Sequence, residues 1–375
     1  MDKQFVTLDE IKQQPEMWKS TLDIVEKNWE KIEKFFKEIE DKHEEVEVIF
    51  TGAGTSDYVG NVIQPHLKGM NSKRYTFESI PTTDIVSNPY IFLENKPTIL
   101  VSFARSGNSP ESVATVKLAE KCIDDLYQVV ITCAEEGKLA VNAEKDKNTL
   151  LILLDKRTND KGFAMTSSFS SMALAALLIF DRAEQVAKRN YVDKMIKLGE
   201  EIKTRTDEIQ KLVDEEFDRI VYLGSGSLGK LTREAQLKIL ELTAGAITTC
   251  FDSSMGFRHG PKSYVNENTI VIDFVSNNAY TRQYDLDIIN EIKADGIARE
   301  VYPVYVSKED LNLGGFRFED GLDLPDVYLA IVFVMIAQFI SLKTAIKVKN
   351  DVDNPSASGT VNRVVKGVTI HEYNK

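Results

Sequence analysis

The sequence has 375 residues, of which 28% are charged and 43% hydrophobic, a balance that excludes disordered and fibrous proteins. At about 100–200 residues per domain, this length predicts two domains. Lys and Arg total 46 against 58 Asp and Glu, so the formal net charge is -12. Such a charge argues against nucleic acid or an anionic membrane as partner, and any anionic ligand needs a local site.

Cysteine usage and hydropathy place the chain in the cytoplasm. Cys122, Cys133 and Cys250 form an odd, sparse set, which predicts free thiols in the core and no disulfide framework. The N-terminus lacks the basic and apolar segments of a signal peptide. The most apolar stretch, 327–342, contains Gln338 and is shorter than the roughly 20 residues that span a bilayer. We expect it to form a buried helix.

Residues 1–40 are predicted to form an N-terminal helical arm. Thr7 and Glu10 have the spacing of a capping box, which would start the first helix. Apolar residues then recur every three or four positions and define one face of a helix. They are Trp18, Leu22, Val25, Trp29, Ile32 and Phe36. This face is expected to pack on a domain surface or on a second copy of the chain.

Residues 41–205 alternate short β-branched runs with helical patterns, which predicts a parallel sheet covered on both faces. The predicted strands are 46–51, 98–103, 127–132 and 150–154, and a helix is predicted from Glu111.

The second half repeats this arrangement. A strand at 220–223 leads into Gly224-Ser-Gly226, and a strand at 269–274 follows after nearly the same interval that separates Gly52 from Phe103. The repeat predicts two tandem copies of one α/β unit, 41–205 and 206–348. A tail, 349–375, completes the chain and is rich in loop-forming residues.

A glycine loop follows the first strand. Gly54, Thr55 and Ser56 stand where a strand gives way to a helix, so backbone N–H groups can approach a ligand there. Asp57 breaks the G-x-G-x-x-G pattern of dinucleotide-binding proteins, and NAD is not expected.

A loop of small hydroxyl residues follows the second predicted strand. Ser109 is suited to the N-cap of the next helix and Pro110 to its first turn. Helix N–H groups and serine hydroxyls together favour a single phosphate, although an ordinary capped helix has the same residues. The sequence lacks the P-loop pattern of nucleotide-binding proteins. A third hydroxyl cluster, 166–171, fits either sugar or phosphate binding or local capping.

Ionisable residues in the second half point to proton transfer. Glu234, Lys238 and Glu241 lie on one face of a helix predicted at 231–244, which is either functional or a solvated face with an ion pair. His259 lies in a loop between glycine and proline residues and can exchange protons near neutral pH, or it can be structural. No H-x-H, H-E-x-x-H, C-x-x-C or G-x-S-x-G pattern occurs, so no metal site is expected.

These motifs together resemble the sugar isomerase (SIS) domain family. The resemblance rests on Gly-Ala-Gly-Thr-Ser at 52–56, Ser-Gly-Asn-Ser-Pro-Glu at 106–111 and Arg-His-Gly-Pro at 258–261. The run 233–241 and the tail are similar to the isomerase half of glucosamine-6-phosphate synthase. The family implies an α/β fold of two tandem SIS domains, each a flavodoxin-like parallel sheet in a three-layer αβα arrangement.

The resemblance also implies roles for individual residues. Glu241 would move the proton between C2 and C1, His259 would open the sugar ring, and Lys366 of the tail would lie near the substrate carbonyl. In the synthase the corresponding histidine comes from the partner subunit, which implies a homodimer or a dimer of dimers. Substrate and phosphate contacts are implied for Gly54, Thr55, Ser56, Arg105, Ser106, Asn108, Ser109, Ser167, Glu234 and Lys238.

The arm, the chain length and the run 165–170 most resemble the family members of galactosamine catabolism. This resemblance implies isomerising deamination of galactosamine 6-phosphate to tagatose 6-phosphate and ammonia, with no cofactor. The alternatives are a phosphosugar aldose–ketose isomerase, a fructosamine-6-phosphate deglycase and a non-catalytic sugar-phosphate-binding regulator. The net charge and the lack of a basic recognition helix argue against a DNA-binding regulator.

Overall fold

A computed structural model describes residues 5–365 and 367–374. Over the first half of the chain the elements are α1 (Val6–Lys12), α2 (Gln14–Lys27), α3 (Trp29–Glu40), β1 (Val46–Thr51), α4 (Thr55–Gly69), β2 (Tyr75–Ser79), α5 (Thr82–Ser87), α6 (Pro89–Phe92), β3 (Thr98–Ala104), α7 (Pro110–Cys122), β4 (Leu126–Thr132), α8 (Lys138–Ala143), β5 (Thr149–Leu153) and α9 (Ser167–Phe180).

Over the second half the elements are α10 (Gln185–Thr204), α11 (Thr206–Asp214), β6 (Arg219–Gly224), α12 (Gly226–Leu242), β7 (Thr248–Ser253), β8 (Thr269–Phe274), α13 (Ala279–Asp295), β9 (Glu300–Val306), β10 (Phe316–Phe318) and α14 (Asp326–Lys347). Short 3-10 turns lie after β5 and after β7.

The chain divides into two compact units, each discontinuous in sequence. The first unit comprises Met17–Asp160, Ser167–Glu184 and Thr360–Lys375, and the second comprises Met1–Glu16, Lys161–Thr166 and Gln185–Gly359. The domains predicted from the sequence are, by contrast, contiguous segments.

The first unit is built on a parallel sheet with the strand order β2-β1-β3-β4-β5. This is the flavodoxin-like order, in which the chain direction across the sheet reverses between the first and third strands. The register pairs Thr51 of β1 with Ser102 of β3, so both strands end at the same edge. Phe50 stacks on Phe77 and Phe103 beneath this edge, with ring centroids 6.0 and 5.9 Å away.

The second unit repeats the same topology. Its strand order is β10-β9-β8-β6-β7, which is the first sheet's order with β6 in the place of β1 and β8 in the place of β3. Gly224 of β6 pairs with Phe274 of β8, and all the pairings are parallel. The predicted fold class and the tandem repeat are therefore confirmed.

A long apolar helix lies at the centre of the second unit. The helix α14 contains the predicted stretch 327–342 and meets the length and composition criteria of a membrane span. However, 89% of its most apolar window is buried within the fold. Gln14 Nε2 donates to Gln338 Oε1 over 2.7 Å, which satisfies part of the polar side chain inside this core. The prediction of a buried helix is confirmed.

The predicted capping box at Thr7 and Glu10 is wrong. The helix α1 begins at Val6 without a side-chain cap. Thr7 Oγ1 instead donates to Asp353 Oδ1 over 2.8 Å, and Glu10 accepts hydrogen bonds from the backbone N–H groups of Lys161 and Gly162. Both side chains thus form hydrogen bonds with residues distant in sequence, which the local spacing could not indicate.

All three cysteines are free thiols, as predicted, but the predicted core position holds only for Cys122 and Cys133. These two are buried, whereas Cys250 is half-buried. Burial raises the pKa of Cys133 to about 12, so this thiol stays protonated at neutral pH.

Candidate active site

The first unit has its topological switch point between β1 and β3. In open parallel sheets of this kind, ligands bind outside the carboxyl ends of the strands at that point. The loop 52–54 leaves the end of β1 and the loop 105–109 leaves the end of β3. The structure therefore brings together, at one edge of the sheet, the two loops that the sequence singled out.

The loop after β1 requires glycine at two positions. A Cβ on Gly52 would lie 2.5 Å from the carbonyl carbon of Ser56, and Gly54 has a φ of +57°. This tight turn starts α4 at Thr55, and the residues Thr55 and Ser56 are both buried. The first N–H groups of α4 consequently lie at the switch point, where they can face an anion.

The loop after β3 has the predicted cap. Ser109 is the N-cap of α7, with its Oγ accepting from the backbone N–H of Ser112 and lying 2.6 Å from Ser112 Oγ. Ser106 Oγ accepts from the N–H of Asn108, whose own Oδ1 accepts from the N–H of Lys138. Sequence reasoning missed Ser112, although its hydroxyl is one turn from Ser109 and was visible in the run Ser-Pro-Glu-Ser.

Arg105 takes part in a contact that the sequence did not predict. Its side chain is 7% exposed, and one terminal nitrogen donates to the backbone carbonyl of Arg363 over 2.6 Å. The Arg363 guanidinium in turn donates through Nε to the carbonyl of Asp160 over 3.0 Å. Arg105 therefore connects the loop after β3 to the C-terminal tail.

Ser167 lies at a helix start that already holds a carboxylate. The Asp160 side chain accepts from the N–H groups of Ser167 and Ser168 over 3.1 and 2.9 Å, and from Ser168 Oγ over 2.5 Å. Ser167 and Ser168 are fully buried. Asp160 thus provides the negative charge favoured by the N-terminus of α9, and the Ser168 hydroxyl donates to the same carboxylate.

In the second unit, α12 carries a buried ionic set. Lys238 Nζ lies 3.4 Å from Glu234 Oε1 and 2.6 Å from Glu241 Oε2. The side chains of Glu234 and Lys238 are 0% and 1% exposed, whereas that of Glu241 is 23% exposed. A solvated helix face is therefore wrong for this set. Burial is costly for unpaired charges, and here each is close to an opposite one, with Glu241 alone reaching solvent.

His259 lies in an irregular turn after β7 and is exposed. Its backbone N–H donates to Gly256 over 2.9 Å. The neighbouring Arg258 and Lys262 both pair with Glu291, over 2.6 and 2.5 Å, and fix the turn to α13. The remaining predicted catalytic residue, Lys366, lies outside the described residues.

The second unit's own switch point holds carboxylates of the protein. Asp285 accepts from Ser225 Oγ over 2.5 Å and from the N–H of Ser276 over 2.9 Å, at the ends of β6 and β8. Burial raises the pKa of Asp285, and burial with the nearby Asp285 charge raises that of Asp273 well above its ordinary value. Protein side chains therefore occupy the donors at this switch point. In the described part of the chain, no three His, Cys, Asp or Glu side chains are grouped as metal ligands.

Comparison with known proteins agrees with this architecture. The SIS domain family model matches residues 42–182. The D-galactosamine-6-phosphate deaminase AgaS of Escherichia coli is 40% identical over 98% of this chain and 96% of its own length. The crystal structure of tagatose-6-phosphate ketose/aldose isomerase from Escherichia coli is 35% identical, covers 99% of this chain and 98% of its own, and has a TM-score of 0.88. A solved structure from Clostridium novyi NT is 38% identical, covers 99% and 96% respectively, and has a TM-score of 0.93.

Two flavodoxin-like parallel sheets of the same strand order define a tandem α/β fold. Because its relatives at 35% identity and above align over nearly their whole length, the chain belongs to the SIS domain family. Within that family it is similar to the AgaS proteins along almost all of its sequence.

Proposed function

We propose that the chain catalyses isomerising deamination of galactosamine 6-phosphate to tagatose 6-phosphate and ammonia. The observation that carries the proposal is the environment of Glu241. Its carboxylate is held 2.6 Å from the buried Lys238 ammonium and still reaches solvent. A carboxylate fixed in this way can take a proton from one carbon and return it to the next. The 40% identity to a galactosamine-6-phosphate deaminase over nearly the full length supports the choice of substrate.

The proposed reaction begins with the open-chain aldehyde of the amino sugar, after His259 has assisted ring opening. Glu241 removes the C2 proton and delivers it to C1 through an enolamine. The product is an imine at C2. Water adds to that carbon and ammonia leaves, which generates the ketose without a change of oxidation state overall. Lys366, by resemblance, would act near the substrate carbonyl.

The phosphate is proposed to bind at the first unit's switch point. The N-termini of α4 and α7 both start there, and Ser56, Ser106 and Ser109 lie in or beside the two loops. Backbone N–H groups with hydroxyls can hold a dianion without a basic surface, which fits an acidic chain. Gly54, Thr55 and Asn108 shape these loops. Glu234 and Lys238 are proposed to set the position and charge of Glu241.

A cytoplasmic homodimer is part of the proposal. The second unit has β7 at a sheet edge, and the apolar side chains of Leu240, Phe251 and Met255 are 40%, 41% and 47% exposed on or near it. Exposed edge strands with apolar side chains favour pairing with another chain. His259 follows this strand and is exposed. A second copy on this surface would receive the histidine, as the synthase resemblance implies.

An assay for ammonia release tests the reaction. The purified chain is given galactosamine 6-phosphate, with glucosamine 6-phosphate as the epimer at C4. We expect ammonia and tagatose 6-phosphate in equal amounts from the first. The plain isomerase is the second candidate, because a solved relative is a tagatose-6-phosphate ketose/aldose isomerase. Interconversion of tagatose and galactose 6-phosphates with no ammonia from either amino sugar would favour that candidate instead.

A further inference from the structure

The C-terminal tail of the first unit is attached to the fold at two places. Near its start, Arg363 donates through Nε to the carbonyl of Asp160 and through a terminal nitrogen to Asn159 Oδ1 over 3.2 Å. Near its end, the Tyr373 ring packs against the apolar core of the first unit, and Lys121 Nζ donates to the Tyr373 carbonyl. The described residues between these two attachments are mainly exposed.

Arg105 belongs to the first attachment. Its guanidinium donates to the Arg363 carbonyl over 2.6 Å, while the side chain is 7% exposed. Arg105 directly follows β3 and precedes the serines of the loop 105–109. It therefore links the loop proposed to bind phosphate to the tail, at a residue three positions before Lys366.

From these contacts we infer that Arg105 is a positioning residue that holds the tail in place for the reaction, and that it is not the phosphate's counterion. The inference rests on the proposed function for its effect on turnover. A guanidinium is suited to this task because it donates several hydrogen bonds in fixed directions. Asp160 extends the same connection, since its carbonyl holds Arg363 and its carboxylate caps α9.

The test replaces Arg105 by Met, which keeps the length and apolar stem but removes every donor. In hydrogen exchange, peptides from 360–374 are expected to exchange faster in Arg105→Met than in the wild type. Turnover is expected to fall about 10- to 100-fold, because small misplacements of a reacting group cost that much. The KM for the sugar phosphate and the Kd for inorganic phosphate are expected to stay near the wild-type values. Arg182→Met, which removes an exposed arginine of the same unit, is the matched control.

Arg363→Ala provides a second route to the same attachment. It removes the hydrogen bonds to Asp160 and Asn159 but leaves the sequence of the loop 105–109 unaltered. It therefore tests the same attachment if Arg105→Met does not fold. The two substitutions are expected to be non-additive in kcat, because either one releases the same segment. A large rise in phosphate Kd, with unchanged tail exchange and kcat, would show that Arg105 is a phosphate ligand. If the wild type releases no ammonia, the exchange comparison still decides the inference.

Discussion

At the scale of single residues, Glu241 differs from Glu234 in its access to solvent. Both carboxylates contact Lys238, but the Glu234 side chain is 0% exposed and that of Glu241 is 23% exposed. Glu241→Gln keeps the size and removes the base. We expect kcat to fall by about 10²–10⁴-fold, in the range that general acid–base catalysis contributes. Ammonia release measures the loss, and calorimetric titration with galactosamine 6-phosphate is expected to show retained binding.

Glu267→Gln is the matched control for this substitution. Glu267 is an exposed glutamate of the same unit, in the loop before β8. Its variant is expected to turn over like the wild type. Full activity in Glu241→Gln would remove this residue from the mechanism, and loss of binding without loss of kcat would make it a substrate ligand.

A second residue-scale prediction concerns Asp273 at the end of β8. Its side chain is fully buried and Oδ1 has no hydrogen-bond partner among the described residues. Because its pKa is raised well above 3.8 in the folded state, the folded protein binds its proton more tightly than the unfolded chain does. This stability is fully present below pH 3.8 and is lost as pH rises through the raised pKa.

Asp273→Asn should remove this loss of stability with rising pH, since the amide side chain stays neutral. We expect it to gain about 1–3 kcal/mol of unfolding free energy over the wild type at neutral pH, the scale of an unsatisfied buried polar group. The gain is expected to vanish in acid. Urea unfolding at several pH values measures it, with Asp287→Asn, at an exposed site on α13, as control. A constant difference at all pH values would contradict the protonation argument.

The sequence pattern placed Glu234, Lys238 and Glu241 on one helical face, but it could not decide whether that face is exposed to solvent. The 3.6-residue period gives the face, whereas burial depends on what packs against it. In the fold α12 packs against α14, and neighbours such as Ile239 and Leu242 are buried too. The capping of α9 by the Asp160 carboxylate was likewise not predictable from the sequence, because it depends on tertiary structure and not on residue spacing.

At the scale of elements, the ionic set of α12 is expected to control the stability of the second unit. Lys238→Met leaves Glu234 buried without this cation, which should cost about 3–5 kcal/mol of unfolding free energy. Adding Glu234→Gln should recover part of the loss, because a neutral amide is cheaper to bury. Urea unfolding of both variants measures the effect.

Lys230→Met is the control for this prediction, since Lys230 is exposed on the same helix. It is expected to unfold like the wild type. A loss in Lys238→Met that the second substitution makes larger would indicate that the cost comes from packing and not from the unpaired charge.

Most interior strands were predictable from the sequence, and most edge strands were not. The exceptions are the edge strand β5, which was predicted, and the buried strand β9, which was missed. The bounds predicted for β1 and β8 match the structure, since β-branched and aromatic residues dominate both strands and each is almost entirely buried. The edge strands β2 and β7 were missed because polar residues interrupt them and most of their residues are only partly buried. The strand β10 has only three residues, Phe316–Phe318, and gives no periodic signal.

At the scale of the whole molecule, two copies of one fold have different chemistry at equivalent positions. The switch point of the first unit has hydroxyls and helix N-termini, whereas that of the second holds Asp285. The repeat predicted the shared topology, because topology follows the pattern of apolar runs. The repeat did not predict this difference, because Asp285 lies on α13, beyond the glycine loop and the strand whose spacing defines the repeat.

The proposed homodimer leads to a test by subunit mixing. If His259 of one subunit serves Glu241 of its partner, then Glu241→Gln and His259→Asn are each inactive as homodimers. A hybrid of the two has one site with both native residues and one with neither. Unfolding and refolding an equal mixture should therefore restore about a quarter of the wild-type specific activity, as an isologous dimer has two equivalent sites.

The same mixing result distinguishes other arrangements. If both residues act within one subunit, every site in the mixture stays defective and no activity returns. Leu240→Glu places a charge on the exposed surface beside β7. Because burying that charge in the interface is costly, the variant should be monomeric in analytical ultracentrifugation. It should also be inactive, because a monomer lacks the partner's His259. A monomeric wild type with full activity would contradict the proposal that the partner subunit supplies the histidine.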